Sequence, residues 1–199
     1  MHSVVKTNSA GRKKLFLDGV EVGEVDLTGD HEKDIEISRK FLKDKGLYRE
    51  IPLFDAILNQ ATAFCNTAAY LYETDLKRSP RKGISGAPFV VNAAFSMELY
   101  LKALAQKHGM SLRGHELVKL HKALPKAALV EIETVIPRCA AQRNLGEPPN
   151  FLGYLKNLND AFVTWRYSYE IERTEPVTIE PTIFVLQVLH EACHLGRIA

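Results

Sequence analysis

Cysteine is scarce: three residues in a 199-residue chain, Cys65, Cys139 and Cys193, with no close-spaced pair among them. An odd, dispersed set excludes a disulfide framework and a paired-thiolate zinc knuckle, and it predicts free thiols in a reducing compartment. Long apolar runs are missing as well. Nothing approaches the ~20 residues that cross a bilayer, and the opening MHSVVKTNSAGRKK holds no apolar signal core. A cytoplasmic protein without a membrane segment is expected. Neither sign of charge dominates, since 26 Lys and Arg stand against 24 Asp and Glu, a net charge of +2. The molecule as a whole is therefore not steered toward nucleic acid, and any such binding falls to local patches. A Gly-rich phosphate loop, a G-x-S-x-G nucleophile elbow and an internal repeat are all absent, which removes support for the enzyme classes those motifs mark. No cofactor is implied by them.

What is present reads as a mainly α chain. Leu15 to Leu27, LFLDGVEVGEVDL, places Asp18 and Gly19 as a tight turn between two short β-branched runs, the pattern of a β-hairpin. Asp30 is a helix cap for a charged stretch that turns Ile35, Phe41 and Leu42 to one side and stops at Gly46. Hairpin and charged helix make an N-terminal extension over residues 1–50, and a helical bundle fills 51–199. After Pro52, Phe54, Ile57, Leu58, Ala61, Phe64, Cys65, Ala68, Leu71 and Tyr72 recur at helical spacing. A basic loop from Lys77 to Gly86, expected to be mobile, leads into an almost wholly apolar helix from Phe89 to Gly109. His115 opens a short helix with Leu117, Leu120 and Leu124 inward, and a further helix after Pro125 is expected to end or kink at Pro137. Cys139 to Pro149 reads as a connector. Phe151, Leu155, Leu158, Phe162 and Trp165 predict one continuous helix, and the last runs from about Pro181 to Leu195, with Gln187, His190, Glu191 and His194 on its polar face.

Four groups of residues carry chemistry. Glu98 and Lys102 sit four apart on the apolar central helix, where neighbours Phe95, Met97, Leu99, Leu101 and Leu104 leave little solvent for a charge. His115 follows a glycine, and capping, core packing and acid–base work are all open to it. Arg166 lies among Trp165, Tyr167 and Tyr169, where a guanidinium stacks on rings or pairs with a carboxylate such as Glu98 or Glu170. His190, Glu191 and His194 spell HEACH, an H-E-x-x-H match that binds zinc when a third ligand is supplied. Here that ligand would have to come from upstream, from His115 or Glu98; a polar face at the end of a helix is the plainer reading. Two basic patches, Arg12, Lys13 and Lys14, and Lys77, Arg78, Arg81 and Lys82, are either solvated surface or contacts to a polyanion.

Three of these stretches occur together in one family. Asn92–Ala93 with MELYLKAL to Leu104, GHELVKL from Gly114 to Leu120, and WRYSYE from Trp165 to Glu170 resemble a HEPN domain over about residues 52–195. The resemblance implies an α-helical bundle and singles out Glu98, Lys102, His115, Arg166 and Tyr167. It implies an RNA or nucleotide ligand, a homodimer or a nucleotidyltransferase partner, and a defence or toxin–antitoxin setting. Cleaving members carry Arg-x4–6-His, and no His of this chain has an Arg at that distance before it. A metal-independent ribonuclease would then have to use His115 as acid or base and Arg166 on the phosphorane, so binding without cleavage is the leading expectation.

Overall fold

The computed structural model describes residues 10–159, 165 and 179–196. The chain divides into two compact units, Met1–Ile51 and Pro52–Ala199. It is mainly helical, with one small antiparallel hairpin among the described residues.

In the first unit, β1 (Gly11–Leu17) pairs antiparallel with β2 (Val20–Leu27). Asp18 and Gly19 both take positive φ, 52° and 81°, the backbone that a two-residue turn with the twist of its strands demands. Gly23 is required for another reason: a Cβ there would lie 2.5 Å from Cζ of Phe41, so the missing side chain lets that ring seat on β2. α1 (His31–Asp44) starts as its sequence predicts, with the Asp30 carboxylate accepting from the amides of Glu32 and Lys33. Its inward stripe is Asp34, Ser38 and Leu42, whereas Ile35, expected inside, is 42% exposed. The Asp34 carboxylate accepts from Thr28 N and Oγ1 and from Gly29 N, and this tie to the β2–α1 loop sets how the helix is rolled.

The second unit is built on α3 (Gly86–Lys107), with thirteen of its 22 residues buried. It packs against α2 (Leu53–Leu71), the short α4 (Leu117–Lys122) and α7 (Ile179–His194). α5 (Lys126–Gln142) lies on α7, and α6 (Phe151–Asn157) touches both α4 and α7. Met97, Leu101, Leu104, Val185 and Leu189 have no accessible surface, each contributing about 1.5–3 kcal/mol of apolar burial. α3 ends at Gly109 (φ 75°), whose amide donates to Gln106 O while Met110 N reaches Ala105 O. That double closure turns the chain back. Among the described residues no helix is long and apolar enough to cross a membrane.

Two expectations fail on α5 and α6. Pro137 neither ends nor breaks α5, which continues to Gln142 and absorbs the start of the supposed connector. The proline is exposed, so Glu133 O, which loses its amide donor, lies on the side where water replaces it. α6 stops at Asn157, so the apolar stripe from Phe151 to Trp165 is not one unbroken helix. Leu158 and Asn159 donate their amides to Leu155 O and Lys156 O in a closing turn. Residues 160–164 and 166–178 lie outside the described residues.

Candidate functional site

The reversal after Gly109 brings His115 back against the helix it left. Glu98 is 2% exposed, and two groups share its carboxylate: Lys102 Nζ donates to Oε1 at 2.6 Å, and His115 Nδ1 lies 3.1 Å from both oxygens. The Glu98–Lys102 pair is the one that helical spacing predicts. The His115 contact spans the chain reversal and is fixed by α4, whose Leu117 and Leu120 are buried and whose Val118 amide is capped by Asn159 Oδ1 at 2.9 Å. His115 itself sits just before α4, which begins at Leu117, rather than inside it.

Exposure divides the three groups sharply. The Glu98 side chain is 3% exposed, Lys102 21% and His115 70%. A carboxylate only accepts, so Nδ1 of His115 carries the proton of that hydrogen bond, and a neutral ring presents its lone pair at Nε2, away from Glu98. The buried carboxylate therefore orients an open imidazole beside an ammonium. Protonated, such a ring donates Nε2–H to a phosphate oxygen; neutral, it takes a proton at Nε2.

The other predicted residues are not gathered here. Arg166 and Tyr167 lie outside the described residues. Lys77 pairs with Glu73 at 2.9 Å, and Lys82 with Asp75 at 2.8 Å. Asp75 also accepts from Ser85 Oγ at 2.6 Å, while its carbonyl takes the Lys82 amide. The loop expected to be mobile is thus tied to Asp75 at Lys82 and Ser85, and two of its four cations are already matched. The hydrogen bonds from Lys82 and then Ser85 hold the Asp75 carboxyl below the usual range. Arg78 and Arg81 are exposed. This loop precedes α3, and Glu98 stands twelve residues along that helix, about 18 Å at 1.5 Å per residue. Arg12 and Lys14 in the hairpin pair with Glu24 and Glu21.

The HEACH segment forms a second cluster. His190 Nδ1 is 2.9 Å from the Tyr100 hydroxyl, and Tyr100 follows Glu98 by two residues, about 200° around α3. The two clusters therefore occupy different faces of one helix. Glu191, which would polarise a water in a zinc hydrolase, is ion-paired with Arg138. Among the described residues no three His, Cys, Asp or Glu side chains are placed to hold a metal, so neither Glu98 nor His115 supplies the third ligand a hydrolase needs. Burial pushes the His190 imidazole down, with the nearby His194 adding to it, and burial pushes the Tyr100 phenol far up.

Tyr100 is not among the residues expected to carry chemistry, yet the sequence holds the signal: a phenol in an otherwise apolar helix needs a partner for its hydroxyl. Long-range pairs left less trace. Arg143 grips Glu180 with two bonds of 2.6 Å, and Lys107 joins Glu131 at 2.9 Å while donating to Leu195 O at 2.8 Å. No family model, curated protein or solved structure matches this chain.

Proposed function

We propose that this chain is a HEPN-like protein that binds RNA or a nucleotide phosphate at the cluster of Glu98, Lys102 and His115. The observation that carries the reading is the buried Glu98 carboxylate holding an imidazole that is 70% open to solvent. A carboxylate at that depth is costly unless partnered, and Lys102 already partners it. His115 adds little packing from so exposed a position. What Glu98 gives it is orientation, so that the protonated ring, with Nδ1–H on Glu98, offers Nε2–H as a donor to a phosphate oxygen. In this reading the protein works in the cytoplasm as a homodimer or beside a nucleotidyltransferase, in a defence or toxin–antitoxin setting. Support for that context comes from the motif resemblance alone.

The neutral ring, with its lone pair at Nε2, favours a second reading, a metal-independent ribonuclease in which Nε2 takes the 2′-hydroxyl proton. Both are tested by titrating purified protein into fluorescently labelled single-stranded RNA and labelled ATP, with chelator present, and by following RNA integrity in parallel. Saturable binding that falls about tenfold or more in His115→Ala, with the melting temperature close to wild type, is expected. Chelator-resistant cleavage lost in the same variant selects the ribonuclease. Absent binding, or binding indifferent to His115→Ala, leaves the cluster as a helix lock in an interaction module.

A further inference from the structure

The pair His190 and His194, one turn apart at the end of α7, is left without a role by the phosphate-binding reading and shares no residue with it. We propose that these two imidazoles form a binding site for one divalent transition cation of the zinc class. Four residues apart, they stand on one face of α7, and their ring centroids are 4.3 Å apart with planes tilted by 37°. Each Nδ1 is already engaged by the protein. His194 Nδ1 is 2.8 Å from His190 O; a carbonyl only accepts, so that nitrogen carries the proton and Nε2 the lone pair.

The Tyr100 hydroxyl, which has one proton, lies 2.9 Å from His190 Nδ1 and donates to Thr62 Oγ1 at 3.4 Å. A cation at His190 Nε2 selects the tautomer in which Nδ1–H donates to the Tyr100 hydroxyl, and that hydroxyl has Thr62 Oγ1 as an acceptor for its own proton. Two imidazoles with Nδ1 fixed by hydrogen bonds and Nε2 available are how proteins prepare histidine for a metal. Imidazole nitrogen suits zinc, nickel and copper over magnesium or calcium. The location adds to this, because His194 lies in the last turn of a 16-residue helix, where the backbone dipole favours positive charge, and His190 stands one turn before it.

With Glu191 held by Arg138, the site lacks the general base of a hydrolase. Water completes the coordination, and the cation clamps the end of α7. The role is binding, not catalysis.

The test is calorimetric titration of zinc chloride into the untagged full chain, with the imidazole resonances followed by NMR. One zinc per chain is expected, with shifts confined to His190 and His194. Affinity should fall about tenfold or more in His194→Ala, an exposed position whose replacement leaves the melting temperature unchanged, and equally in His190→Ala. Tyr100→Phe should keep the stoichiometry and weaken binding by up to about tenfold. The proposal is overturned if wild-type protein takes up no zinc at about 1 mM, or if uptake is unaffected by His194→Ala, which would place the metal elsewhere, as at Met1 and His2.

Discussion

Replacing Lys102 by Met should be among the most damaging single changes available on α3. The substitution keeps the length and apolar stem of the side chain and removes its charge, leaving the Glu98 carboxylate, 3% exposed, with His115 as its remaining partner among the described residues. Breaking a buried pair by deleting one member costs about 3–5 kcal/mol, because the surviving charge keeps its desolvation penalty. For a chain of this length 1 kcal/mol moves the melting temperature by about 2–4 °C, so a fall of about 6–12 °C is the minimum expected. Glu98→Gln should cost less, about 1–2 kcal/mol, since the stranded Lys102 is 21% exposed and its ammonium can reach water along a flexible stem. His115→Ala should cost about 1 kcal/mol or less, the value of one partly solvated hydrogen bond. The lone tryptophan, Trp165, packs on the core and reports unfolding of the bundle by fluorescence in urea. A double Glu98→Leu, Lys102→Leu variant should recover most of the lost stability, as apolar replacement of whole buried pairs commonly does, while losing ligand binding. A Lys102→Met protein within about 0.5 kcal/mol of wild type would refute the reasoning.

Two further outcomes follow from groups outside that cluster. Burial lowers the His121 imidazole, and His190 moves the same way; their folded values lie under the unfolded one of about 6.5, so the unfolded chain binds more protons in between. Stability should be complete above about pH 6.5 and decline as pH falls through the folded values, with His121→Gln flattening the profile of urea midpoint against pH. Asp75→Ala should free the Lys77–Gly86 loop, because Lys82 and Ser85 both lose their side-chain acceptor; limited trypsin digestion should cut after Arg78 or Arg81 several times faster than in wild type, and an unchanged rate would mean that the loop is held by something else.

Features set by near neighbours were open to sequence reading. The Asp18–Gly19 turn, the Asp30 cap, and the stops at Gly46 and Gly109 depend on backbone geometry within a few residues, and each is where local chemistry puts it. Glu98 and Lys102 were legible for the same reason, since one helical turn separates them. Ile35 shows where this logic stops. Its apolar side chain belongs inside by periodicity, yet α1 is rolled by a carboxylate at position 34 that caps a loop six residues back. Pro137 stops a helix in isolation but not one held along its length by α7 on the buried side and water on the other.

The site needed more than neighbours. His115 meets Glu98 across 17 residues because a glycine-closed helix end folds α4 back, and His190 meets Tyr100 across 90 because α7 docks on α3. Neither contact has a spacing that a sequence displays. What the sequence does carry is the mismatch that demands each contact: an acid among leucines, and a phenol two residues later on another face of the same helix. Glu98 takes Lys102 from its own helix and Tyr100 contacts Thr62 on α2, and each is also met by a histidine from further along the chain. The difference between them lies in which partner is covered. At Glu98 the acid is buried and the imidazole open to solvent; at Tyr100 the phenol is buried, His190 is half-buried and His194 is exposed. One helix thus supports both of the imidazole sites proposed above, which differ in preference. The first, with an ammonium beside it, suits an anion, and the second, at the negative end of a helix, suits a cation.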